Sequence, residues 1–224
     1  MASTYSVQEA LEVVKRTAGL GPADSWGVLA ADMAVKEMWR RGAWRQSLAD
    51  LPAIGLVPGL QDLGEPLVDI PSDIAGLWRA DYVYLMEDGN VSITPMSVHR
   101  SLEGNNIPCH PNAISYQQDN NSYRFPGIIP SNLASPWHFV RGTYKKKPPS
   151  ITNLNIGGTY LPWDDDLFPV FVQVLRWQAM ALVGADRALD QRQIAVAGIN
   201  EAAAQEAEYL GQSQQMSSID VGGW

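Results

Sequence analysis

Three histidines, one cysteine and one run of aspartates are the residues of this 224-residue chain best suited to chemistry. His99, His110 and His138 are scattered, and Cys109 stands directly before His110. Zinc sites draw on Cys and His spaced a few residues apart, usually in two pairs. An adjacent Cys-His with no second cysteine does not make one. Cys109 as a nucleophile would need a distant histidine brought to it as base, which spacing alone does not supply. Asp164-Asp165-Asp166 offers hard oxygen ligands for a cation, yet it lacks the EF-hand spacing and the turn glycine. Three carboxylates equally suit the start of a helix, where the dipole favours negative charge. The chain contains no Walker A loop, HExxH, GxSxG elbow or dinucleotide fingerprint. The expectation is a protein that is not an enzyme, with no catalytic residue, no metal and no cofactor.

One basic patch interrupts an acidic chain of formal net charge -8 and pI near 4.8. It comprises Arg141, Lys145, Lys146 and Lys147, preceded by Trp137, Phe139 and Tyr144. Aromatics interleaved with cations fit a single-strand groove. They also fit a solvated strand end, or a strand that meets acidic surface on a neighbouring subunit. The acidic whole argues against a protein that neutralises phosphates around nucleic acid. It is compatible with an acidic lumen through which DNA slides without sticking. Within so acidic a chain the four cations are expected to make inter-subunit contacts.

The elements that hold these residues divide by texture. Ser6 and Glu9 form a capping box ahead of Val7, Ala10, Leu11, Val14 and Ala18, and Gly19-Leu20-Gly21-Pro22 stops that helix. A second helix is expected from an Asp24 or Ser25 cap to about Ala49, with Trp26, Leu29, Ala30, Met33 and Ala34 as its apolar stripe. From Pro52 to Tyr160, Gly, Pro, Asn and Ser punctuate short β-prone runs. Tyr82–Met86 and Val91–Thr94 flank Glu87-Asp88-Gly89-Asn90, and Asp-Gly between such runs is a strong hairpin signal. A weaker pair is Ala113–Tyr116 with Tyr123–Phe125, and a further strand is expected from Trp137 to Lys146. These strands predict an antiparallel sheet or small sandwich.

After Asp164–Asp166, Leu167 to Val183 is apolar nearly all round, as in a buried helix. Beyond Gly184 a polar helix carries one stripe: Leu189, Val196, Ile199, Ala203 and Leu210. Past Gly211 the chain is polar, with Met216, Ile219, Val221 and Trp224 as apolar anchors and no local core to receive them. Anchors along such a tail suit a segment that folds on a partner. The fold class is therefore α+β: a helical bundle from the N- and C-terminal helices, an inserted antiparallel β-rich lobe and an extended C-terminal tail. The expected divisions are 1–51, 52–160, 161–211 and 212–224.

At 46% apolar residues the chain is globular, and the single cysteine rules out an intrachain disulfide. No apolar run reaches the ~20 residues of a bilayer span, so no membrane partner is expected. No basic n-region with an apolar h-region opens the chain, so it is expected in a cytoplasm.

The stretch Tyr144-Lys145-Lys146-Lys147-Pro148-Pro149-Ser150-Ile151, then Tyr160-Leu161-Pro162, then an acidic start to a long apolar helix resembles the head-to-tail connector adaptors of tailed bacteriophages. Ala30–Trp44 looks like the early helix of that family, with its late Trp. Leu67–Asp73 is similar to its helix-to-sheet connection, and Asn90–Pro95 to the strand after its hairpin. The likeness covers roughly residues 25–215, and no motif in it is specific alone. Pro52–Pro66 and Glu103–Asn112 look like insertions. The resemblance implies a structural virion protein of the neck, assembled in the host cytoplasm. It implies a ring, usually of twelve copies, on the portal protein. That ring would extend the DNA channel without sequence-specific contacts and present a surface to a tail or stopper protein. It implies that the C-terminal segment, with Met216, Ile219, Val221 and Trp224, orders on the portal. Another tail or baseplate subunit is the alternative, and a cytosolic enzyme using Cys109 or Asp164–Asp166 a third.

Overall fold

The computed structural model describes residues 3–20, 26–55, 70–85, 90–101, 113–117, 122–124, 138–153 and 155–219. Cys109, His110, Val221, Trp224 and the Glu87-Asp88-Gly89 turn lie outside them. The fold is α+β, in two compact units: Met1–Ser47 with Pro148–Trp224, and Leu48–Lys147. The lobe thus opens and closes earlier than the 52 and 160 read from composition. Leu48–Gly55 is already a strand, and the chain after Lys147 returns to the helical unit, where Leu161 N donates to Tyr5 O and Val7 N to Thr159 O, both at 3.0 Å.

The helical unit holds α1 (Val7–Ala18), α2 (Gly27–Arg41), α3 (Phe168–Leu182) and α4 (Ala188–Ile219). The capping box of α1 forms as expected: Ser6 N donates to Glu9 Oε2 at 2.7 Å, and Glu9 N to Ser6 Oγ at 3.2 Å. Helix α2 departs from expectation at both ends and on its face. Its N-cap is Trp26, with no side-chain cap bond. It stops at Gly42, where the backbone turns extended and the Trp44 indole folds back to donate to the Met38 carbonyl at 2.7 Å. The buried face is Ala30, Ala31, Ala34, Val35, Met38 and Trp39, while Leu29 and Met33 face outward. Small alanines let α2 approach α3 closely, so they, rather than the bulkier neighbours, take the core side.

The core joins Trp39, Trp44, Trp163 and Phe171 to the buried faces of all four helices. Trp163 is its hub, with ring centroids 6.1 Å from Trp39, 6.5 Å from Trp44 and 5.8 Å from Phe171. Helix α3 buries Phe171, Val174, Leu175, Gln178, Ala179 and Met180 in the core, but burial is not all round as its apolar sequence suggests: Leu182 and Val183 at its end are exposed. Gly184 has a φ of 70°. Glycine reaches this left-handed conformation without strain, and it breaks α3 from α4.

Helix α4 spans 32 residues. At a rise of about 1.5 Å per residue, its length is about 48 Å. Its buried face is Gln191, Ala195 and Ile199. The expected stripe therefore splits: Ile199 packs inward, whereas Leu189 is 72% exposed. The helix also runs through Gly211 to Ile219, so 212–219 is helical rather than extended. One glycine costs a helix interior only about 1 kcal/mol, and the Gln- and Met-containing sequence beyond it has no proline to stop propagation.

The second unit is a six-stranded sheet: β1 (Leu48–Gly55), β2 (Ile74–Leu85), β3 (Val91–Ser101), β4 (Ala113–Gln117), β5 (Ser122–Arg124) and β6 (His138–Lys146), in the order β1-β6-β2-β3-β4-β5. The β2–β3 and β4–β5 pairs are antiparallel, as the turn signals predict. The four strands β1-β6-β2-β3 are antiparallel throughout, as expected, and only the β3–β4 pair is parallel. Parallel neighbours need a crossover of about a dozen residues, the length that the connection 102–112 supplies. One sheet face carries the core of this unit: Leu51, Ile54, Ile74, Ala80, Met96, Val140 and Tyr144.

Candidate docking surfaces

The aspartate run fastens the helical unit. Asp165 Oδ1 accepts from Ser3 Oγ at 2.7 Å and Thr4 N at 2.8 Å, and Oδ2 from Thr4 Oγ1 at 2.7 Å. Tyr5 stacks on Phe168 at 4.1 Å. The segment before α1 is thereby stapled to the start of α3. Asp164 accepts from Arg45 Nη2 at 2.9 Å, and Arg45 Nε donates to Glu206 Oε1 at 2.9 Å while its guanidinium covers the Tyr209 ring. The Glu206 bond raises the Arg45 pKa further. Among the described residues no three His, Cys, Asp or Glu are grouped to hold a metal ion. None of the described helices is long and apolar enough to cross a membrane.

The bonds from Ser3 and Thr4 hold the Asp165 carboxyl below its ordinary range, and the Ser6 backbone and hydroxyl do the same for Glu9. A carboxylate with a lowered folded pKa adds stability above its unfolded value and loses it as pH falls through the folded one. Thermal melts should therefore show the helical unit weakening through the carboxylate range. Asp165→Asn should lower the melting temperature at neutral pH and shrink its drop between neutral pH and about pH 3.5. A variant with the wild-type acid profile would contradict this role for Asp165.

His138 is 1% exposed, shares a 2.5 Å hydrogen bond with the Tyr82 hydroxyl through Nδ1, and stacks on that ring at 5.8 Å. Burial pushes its pKa down. It is a neutral core group, and its contribution to the sheet is lost as pH falls below the unfolded value of about 6.5. His99 lies on β3.

The basic patch falls on β6 and just past it. Arg141 is exposed and lies on the sheet face opposite Val140 and Tyr144; Lys145 shares that face by strand alternation. Burial lowers the Lys145 pKa. Lys146 falls on the Tyr144 side. Lys147 is committed to stitching the turn beside it: its backbone N donates to Asp73 O at 2.6 Å and its Nζ to Ser72 O at 2.8 Å. Opposite Arg141 in register lies the buried Asp81, which Arg79 contacts at 3.2 Å. The four cations thus do not act alike. Arg141 and Lys145 share one face of the sheet, whereas the exposed Lys147 bonds the turn at Ser72 and Asp73.

Sequence reading missed an open groove of about 510 Å³ in the helical unit, lined by Arg41, Leu189, Arg192, Gln193, Val196, Ala197 and Asn200. The α4 members recur at helical spacing along one flank. Arg41 is held by Glu37 at 2.5 Å, and Arg192 lies over the Trp177 ring at 5.7 Å. Leu189 and Val196, seven apart with Arg192 between them, were the sequence signal. Arg41 comes from a distant helix and gave none. Of the tail anchors, Met216 and Ile219 fall on the last turns of α4.

No protein-family model and no curated protein matches the chain. Function therefore rests on the residues and their placement.

Proposed function

We propose that this chain is a head-to-tail connector adaptor of a tailed bacteriophage. As a ring on the portal protein it would prolong the DNA channel and present the attachment surface for a tail or stopper protein. The observation that carries this reading is α4. Its first half is seated on the bundle through Gln191, Ala195 and Ile199. From Glu201 to Gly211 most side chains are exposed, and Arg45 secures the middle through Glu206. A helix anchored at one end, with Met216 and Ile219 in its last turns and Val221 and Trp224 following in sequence, suits insertion of apolar anchors into a partner groove. The Arg141–Lys145 face supports contact with an acidic neighbour, and the net charge of -8 suits a channel wall that DNA passes without binding.

Gel filtration of the chain with purified portal rings of the same phage tests the reading. Co-elution is expected, and persistent separate elution would sink it. Deleting Met216–Trp224 should leave a folded protein whose portal affinity falls at least a hundredfold, about 2.7 kcal/mol. Undiminished binding by the truncated chain would remove the tail from the docking surface.

A further inference from the structure

The groove on α4 has a chemical counterpart on the same helix. Its lining includes the apolar Leu189, Val196 and Ala197 and the cations Arg41 and Arg192. Arg40 and Arg41 both pair with Glu37, so this end of α2 keeps a net positive charge. Further along α4, Glu201, Ala204, Gln205 and Glu208 are exposed and recur at i, i+3, i+4 and i+7. At roughly 100° per residue they form a single acidic face, turned about 100° around the helix from the groove and about 130° from the packed residues Gln191, Ala195 and Ile199. Glu206, which Arg45 engages, belongs to the inner side and not to this face.

We propose that the groove of one copy receives the Glu201–Glu208 face of α4 from a second copy. Ala204 and Gln205 would lie over Leu189 and Val196, and the two glutamates would meet Arg41 and Arg192. The charges are complementary between the two surfaces and like-signed within each, so the contact joins different patches on the two copies. Such a heterologous contact builds a closed ring when its rotation closes. This inference rests on the ring reading above and names the surface that would form the ring.

Charge reversal tests it. Sedimentation velocity of the wild type across a concentration series should show self-association that weakens as salt rises. Arg192→Glu and Glu208→Arg should each weaken it on the order of tenfold or more, and the double reversal should restore most of the loss. Circular dichroism checks that each variant is folded. If both single variants associate like wild type, or if the double variant shows no recovery, the groove pairing is wrong. A wild type that binds portal rings while both reversals assemble normally overturns the pairing alone. A wild type that neither self-associates nor binds portal rings overturns the adaptor reading and the pairing with it.

Discussion

Replacing Trp163 with alanine is expected to cost the helical unit about 3–5 kcal/mol, a large share of the roughly 5–15 kcal/mol that holds a typical domain. The indole is 1% exposed and touches the rings of Trp39, Trp44 and Phe171, so its removal opens a cavity bounded by rigid aromatics that cannot collapse into it. Conservative replacements separate packing from hydrogen bonding. The Trp163 Nε1 has no hydrogen-bond partner among the described residues, so Trp163→Phe removes volume alone. Trp44→Phe also removes the bond of 2.7 Å that caps α2 at the Met38 carbonyl. Losing that bond adds a cost of about 1 kcal/mol. Urea unfolding followed by tryptophan fluorescence reads all three. A Trp163→Ala protein with a wild-type midpoint would contradict the packing described for this core.

Gly142→Val should unfold the sheet unit selectively. Gly142 lies at the middle of β6, opposite Leu51 on β1 and Ala80 on β2. A Cβ at this position would collide with the Arg79 carbonyl oxygen and sit 2.9 Å from Ala80 Cα. The register of β2 shifts between Leu77 and Arg79, which brings its backbone against β6 here. The atoms in the way are backbone, which cannot swing aside as a flexible side chain could, and overpacking of this kind costs about 3 kcal/mol or more. Even Gly142→Ala should be poorly tolerated. Calorimetry should show the sheet transition lowered and the helical transition unmoved. An unaltered sheet transition would mean that β2 and β6 are not paired in this register.

Local signals carried much of this architecture. The Ser6–Glu9 box, the β2–β3 pairing and the largely apolar α3 announce themselves because each depends on residues a few positions apart. Where the outcome depends on a distant partner, the sequence reads less well. Leu48–Gly55 contains Pro52 and a register shift, so its alternation is broken, and only pairing with β6 makes it a strand. In α2 the choice between a Leu29–Met33 face and an alanine face is decided by how closely α3 must approach. The aspartate run was legible as a helix start, but its partners Ser3, Thr4 and Arg45 come from far along the chain. The groove needed Arg41 beside Arg192, a proximity that only the fold creates. The basic patch read as one surface, and the structure divides it by assigning Lys147 to the turn at Ser72 and Asp73.

Electron microscopy of the neck of the assembled phage particle tests the adaptor claim most directly. The account predicts a ring of this chain seated on the portal, with α4 and the residues after it at the portal contact. A neck reconstruction in which this chain is absent, or in which it lies elsewhere in the tail with α4 away from the portal, would contradict it.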